Sequence, residues 1–204
     1  MIKTPWGYTL TELNELPTIL TAEEFNDMTA GRFADDVRIE PMLTAAQSAV
    51  REFCGWHVAD NQPCELTLLG RDRAVSHNHG DVLIQLPATF VTEVSSVEID
   101  GGSLTDFDVT TDGLLWLYDT CFGRRAKIVI NYSAGLTDGL AGGLKELIAN
   151  RVTHALAQSY GIQSEAAGGE SVTYSSTYMN SANATSLPET AKEVLNPYHI
   201  RRLF

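Results

Sequence analysis

The residues best equipped for chemistry are His77-Asn78-His79-Gly80-Asp81. Two imidazoles and a carboxylate this close together can ligate zinc or a related ion. The same alternation is also carried by solvated hairpin tips, and no third ligand appears at a recognisable spacing. The cysteines, Cys54, Cys64 and Cys121, are odd in number and show no C-x-x-C spacing. They read as reduced, buried thiols. Gly139-Leu140-Ala141-Gly142-Gly143 lacks the Lys-Ser/Thr ending of a phosphate-cradling loop, and no G-x-S-x-G elbow is present. Asp35-Asp36 reads as cap and surface, and His154 as a structural or interface histidine. Catalysis finds no foothold in these residues, so neither an enzyme nor a bound cofactor is expected.

Composition points the same way. The 204 residues are 44% hydrophobic, enough for a packed core in one domain or one domain with an insertion. No apolar run approaches the roughly 20 residues needed to cross a bilayer, so no membrane partner is expected. The N-terminus lacks the blocks of a signal peptide, which predicts a chain that is cytosolic when made. Fourteen basic against 26 acidic residues give a net charge of −12. Wrapping DNA by phosphate neutralisation needs the opposite sign. The charge therefore reads either as a solvated surface or as a wall past which a polyanion slides. Residues 134–204 carry five basic and six acidic side chains, with His199, Arg201 and Arg202 making the C-terminus the locally basic stretch.

The element that organises the chain is residues 39–56. Ile39, Met42, Leu43, Ala46, Ala49, Val50 and Phe53 form one helical stripe. Glu40, Thr44, Gln47, Ser48, Arg51 and Glu52 are assigned to its wet face, Gly55 to a left-handed stop and Trp56 to the residue after it. Ahead of it, Thr21 and Glu24 form a capping box, Leu20 and Phe25 a staple, and Gly31 a stop. Residues 64–133 change to period two, with a hairpin signal at Asp100-Gly101-Gly102, and predict five or six strands. A second helix comes after Gly139, its glycines suggesting a start nearer Leu144.

The fold class predicted is α+β: a small helical bundle of two long and several short terminal helices, with an inserted antiparallel β-rich subdomain. Its parts are an extended arm (1–20), a helical core (21–62 and 134–162), the β-rich insertion (63–133), a flexible loop (163–186), and a short helix with tail (187–204).

Four stretches in this order carry a resemblance. They are Ala49-Val-Arg-Glu-Phe-Cys-Gly-Trp56, Val129-Ile-Asn-Tyr-Ser-Ala-Gly-Leu136, Gly169-Glu-Ser-Val-Thr-Tyr174 and Leu187-Pro-Glu through Leu195-Asn-Pro-Tyr198-His-Ile-Arg-Arg202. With them the chain resembles the head–tail connector (adaptor) proteins of tailed bacteriophages and gene-transfer particles. The resemblance implies a structural virion protein of the neck that forms a ring of about twelve copies beneath the portal. It also implies a stopper or tail-completion protein on the ring's other side, and genomic DNA passing through the lumen without sequence-specific binding. Carried onto this chain, portal docking falls to Tyr198, His199, Arg201, Arg202, Leu203 and Phe204. Ring-neighbour contacts fall to Val172, Tyr174 and Tyr178. The alternatives are a head-closure or tail-terminator protein of the neck, or a metal-dependent enzyme using His77, His79 and Asp81.

Overall fold

The computed structural model describes residues 1–78, 80–157, 164–167, 170–173 and 187–200. The chain divides into two compact units.

The first unit comprises Met1–Pro17, Cys54–Ala141 and the segment beginning at Tyr198. It is built on a six-stranded antiparallel sheet and a four-stranded one. The strands are β1 (Ile2–Lys3), β2 (Tyr8–Leu10), β3 (Gln62–Leu69), β4 (Val75–Asn78), β5 (Asp81–Gln85), β6 (Val91–Ile99), β7 (Gly102–Leu104), β8 (Phe107–Val109), β9 (Leu114–Leu117) and β10 (Lys127–Ala134). Their spatial order is β1-β2-β3-β10-β6-β7 in the larger sheet and β4-β5-β9-β8 in the smaller. Alternation explains both sheets. Along β10, Ile128, Ile130, Tyr132 and Ala134 are buried while the residues between them are not. Tyr8, Leu10, Cys64, Leu66 and Val97 join them in the core, and Val82, Ile84, Leu115 and Leu117 do the same for the smaller sheet. Each such Leu or Ile contributes about 1.5–3 kcal/mol on burial. The β6–β7 turn places Asp100 (φ 51°) and Gly101 (φ 83°) in left-handed conformations, as a tight two-residue hairpin of matching twist requires.

The second unit comprises Thr18–Phe53 and the described parts of Gly142–Pro197. It holds α1 (Ala22–Met28), all but the last residue of α2 (Ile39–Cys54), most of α3 (Asp138–Ala157), the strands β11 (Ser164–Ala167) and β12 (Glu170–Thr173), and α4 (Glu189–Leu195). The capping box forms as the sequence predicts: the Thr21 hydroxyl accepts the Glu24 N–H, and the Glu24 carboxylate accepts the Thr21 N–H. The stop is shifted by one residue. Ala30 takes the left-handed position (φ 50°), and the N–H groups of Ala30 and Gly31 donate to Asp27 and Asn26, closing a Schellman motif. Lys145 Nζ lies 2.6 Å from Glu24 Oε1 and is the first cause of a carboxyl held below its usual pKa.

The expected helical bundle with an inserted sheet is overturned. Among the described residues the chain is β-rich, with four α-helices, two larger antiparallel sheets and a two-stranded hairpin. The reason lies in the pairing. Residues 2–10 show no sustained periodicity, yet they donate β1 and β2 to the sheet, so the β-structure is no excursion between two helices. Between residues 62 and 134 there are eight strands, two more than the six at most expected, because β4 and β7 are too short to show a period of their own.

Two smaller corrections have local causes. Gln47, assigned to the wet face of α2, is 6% exposed because its Oε1 accepts the N–H groups of Ile19 (2.6 Å) and Leu20 (3.2 Å). Arg51 is buried as well. And α3 begins at Asp138, its glycines standing inside the first turns.

Those glycines generate a prediction. A Cβ at Gly142 or Gly143 would meet nothing within 4 Å. Gly142→Ala and Gly143→Ala should each stabilise the protein by about 0.5–1 kcal/mol by reducing backbone freedom in the unfolded chain. Gly135→Ala should fail, since its Cβ would lie 2.3 Å from Asn61 Cα. Urea midpoints of the three variants check both statements.

Candidate interaction site

The site is built on the residues just past α2. Gly55, at φ 82°, turns the chain out of the helix, and the next three residues, Trp56, His57 and Val58, are each fully buried. A buried imidazole needs partners for both nitrogens. His57 Nε2 lies 3.1 Å from the Ala134 carbonyl, which can only accept, so Nε2 carries the proton. Nδ1 then accepts the Tyr8 hydroxyl at 2.7 Å, and that oxygen accepts the His57 backbone N–H at 2.9 Å. A neutral, paired histidine thereby ties strands β2 and β10 to the segment after α2.

Trp56 faces a different task. Its Nε1–H donates to the carbonyl of Tyr198 at 2.7 Å, and the Ile200 N–H donates to the carbonyl of Cys54 at 3.0 Å. The Tyr198 hydroxyl donates to the Leu140 carbonyl at 3.0 Å. The Tyr198 ring lies 5.8 Å from that of Phe90, which in turn stacks on Trp56 at 6.3 Å. Tyr198–Ile200 is therefore seated on the β-unit by three hydrogen bonds and an aromatic file. Val58 (φ 40°), two residues after Trp56, and Phe90 (φ 57°), in the aromatic file, hold left-handed backbone without being glycine. A β-branched residue in that region is uncommon, and such strain collects where structure serves function.

The structure distributes the residues singled out from the sequence unevenly. Tyr198 is half-buried in the seat and His199 is exposed beside it, while Arg201, Arg202, Leu203 and Phe204 lie outside the described residues. Val172 stands on β12 opposite Glu165 of β11, and Tyr174 and Tyr178 lie outside the described residues. His77 is on β4 in register with Val82, and His79 lies outside the described residues. Asp81 Oδ1 accepts the Asp119 N–H at 3.3 Å. Among the described residues no three His, Cys, Asp or Glu side chains are grouped to hold a metal ion. Cys54 and Cys64 are buried, and burial pushes their thiols up to about 12. Cys121 is exposed, contrary to the sequence expectation, on the connection leading to β10. Sequence reading missed Phe90 and the Leu140 carbonyl, since neither a left-handed phenylalanine nor a backbone acceptor leaves a motif.

The described residues are thus β-rich, and three hydrogen bonds seat Tyr198–Ile200 on the first unit. The profile of the head completion protein family matches residues 18–202, and the chain belongs to that family. It is thus a bacteriophage structural protein of the virion neck. A search of curated proteins found no match to the chain.

Two outcomes test the site. Tyr8→Phe removes the hydroxyl that pairs with both the His57 N–H and Nδ1, and should lower stability by about 1–3 kcal/mol in urea denaturation. With all thiols kept reduced, a disulfide reagent at pH 7 should modify Cys121 in the folded protein and reach Cys54 and Cys64 only in denaturant. A thiol whose pKa is raised stays protonated and unreactive below that value. Thiol counting by mass spectrometry reads this directly.

Proposed function

We propose that this head completion protein works as a head–tail connector, a ring of about twelve copies that joins the portal of a DNA-filled capsid to the stopper or tail-completion protein. The role is structural, with no catalytic step. The observation that carries the reading is the seat of Tyr198–Ile200 on the β-unit. Fixing these residues anchors the start of the segment beyond them, so that their own ordering cost is already met before docking, and such preorganisation raises affinity without adding contacts. That segment is Arg201-Arg202-Leu203-Phe204, two guanidinium groups and two large hydrophobes. Arg and aromatic side chains are the favoured anchors of protein interfaces. On this reading Tyr198 fixes the root of the docking segment, and His199, Arg201, Arg202, Leu203 and Phe204 meet the portal.

Ring contacts would come in part from Val172, Tyr174 and Tyr178. The hairpin of β11 and β12 supports this, because a two-stranded hairpin is marginal in water unless further strands or a packed face complete it. The acidic balance suits a lumen through which genomic DNA passes without sequence-specific binding.

Light scattering of the full chain and of a version ending at Ile200, each alone and mixed with the portal protein of the same particle, tests the proposal. Ring-sized complexes of full chain with portal, lost in the shortened chain, are expected. If the full chain and portal do not associate, the connector reading fails.

A further inference from the structure

The sequence places its locally basic stretch at the C-terminus, but the fold assembles a second one from residues some fifty positions apart. Every Lys or Arg between Cys54 and Ala141 is Arg71, Arg73, Arg124, Arg125 or Lys127. All five are exposed. The β3–β10 ladder brings them together: Leu69, the last residue of β3, pairs with Lys127, the first of β10. Beyond that pair the Gly70 N–H donates to the Ala126 carbonyl at 3.0 Å, and the Ala126 N–H donates to the Gly123 carbonyl at 2.9 Å. A Cβ at Gly70 would come within 2.5 Å of the Gly123 oxygen and 3.1 Å of the Phe122 ring, so only glycine lets the two loops lie this close.

Of the three carboxylates within this pair of loops and the neighbouring turn, Asp119 is exposed at the β9 end of its loop and the other two accept backbone N–H groups. Asp72 Oδ2 accepts the Leu69 N–H, and Asp100 Oδ1 accepts the Lys127 backbone N–H, each at 2.8 Å. Among the described residues none of the five cationic groups forms an ion pair.

We infer that the two loops form a binding surface for the phosphate backbone of duplex DNA, independent of sequence. Four of the five cations are arginine, whose fork matches phosphate oxygens. No large exposed hydrophobic residue of the described chain lies in either loop. A protein partner's interface would need an apolar core, whereas nucleic-acid surfaces are polar and locally positive. The net charge of −12 over the whole chain makes this a grip point on an otherwise acidic chain. The inference goes beyond the connector reading and does not require a ring.

Fluorescence anisotropy of the full chain with a short mixed-sequence duplex, across a salt series, tests it. Binding at low salt is expected. Neutralising three to five phosphates at a slope of about 0.9 each predicts a loss of about 40- to 500-fold in affinity between 50 and 200 mM salt. R71Q/R73Q and R124Q/R125Q should each lower the salt slope by about 2, with an unchanged thermal midpoint because the side chains are exposed. R201Q/R202Q should bind as the parent does. The inference is overturned by absence of binding at low salt, by full binding in the four-arginine variant, or by polyglutamate competing as well as DNA. The last result would assign the loops to an acidic protein.

Discussion

Strand β10 is the constraint on which the first unit depends. It pairs over eight residues with β3 and over seven registered positions with β6, so its backbone is bonded along both edges. A strand so placed must also satisfy its two faces, and the run Lys127-Ile-Val-Ile-Asn-Tyr-Ser-Ala134 does so by strict alternation. A slip of one residue would turn Ile128, Ile130 and Tyr132 outward together, which fixes the register. That register sets the neighbours at both ends of the strand. The Ala134 carbonyl stands where His57 Nε2 can reach it, and at the other end Lys127 stands opposite Leu69, where the two basic loops begin.

The same strand ends in a close approach. After Ala134, Gly135 lies against the backbone of Asp60 and Asn61, its N–H donates to Phe90, and Leu136 bridges to Asp60. Phe90 itself is strained, stacks on Trp56 and meets the Tyr198 ring at a tilt. The seat of the C-terminal segment thus rests on the closure of the sheet, and sheet stability and tail position are one problem. Paired polar groups make this affordable, because a buried histidine with both nitrogens engaged avoids the cost of an orphaned donor.

The features legible in the sequence are those encoded locally. Thr21 and Glu24 are three residues apart, and Asp100-Gly101 is a dipeptide, so the cap and the turn could be read directly. The alternation of β10 was equally plain. The illegible features depend on distant partners. Residues 2–10 have no period because β1 and β2 are two and three residues long, and they become strands only through β3. Gln47 looked like a surface residue until the N–H groups of Ile19 and Leu20 claimed its oxygen. Arg71 and Arg125 are ordinary surface charges in sequence, and only the ladder makes them neighbours. The candidate docking residues were nameable from composition and order. The seat that holds Tyr198 was not, since all three of its hydrogen bonds end on backbone carbonyls.

Charge and architecture then make opposite demands on the same surface. On the connector reading, a chain lining the path of DNA gains from net repulsion, because a uniformly basic wall would hold the duplex by counterion release. Uniform repulsion, however, gives no positional control. Placing the cations on two loops that glycine and one ladder hold together resolves the conflict, since the contact is local and its geometry is fixed by β-structure. The short range of screened charge, about 8 Å at physiological salt, keeps such a patch from cancelling the repulsion around it. A cationic site confined by the fold, on a chain acidic overall, can therefore contact DNA without trapping it.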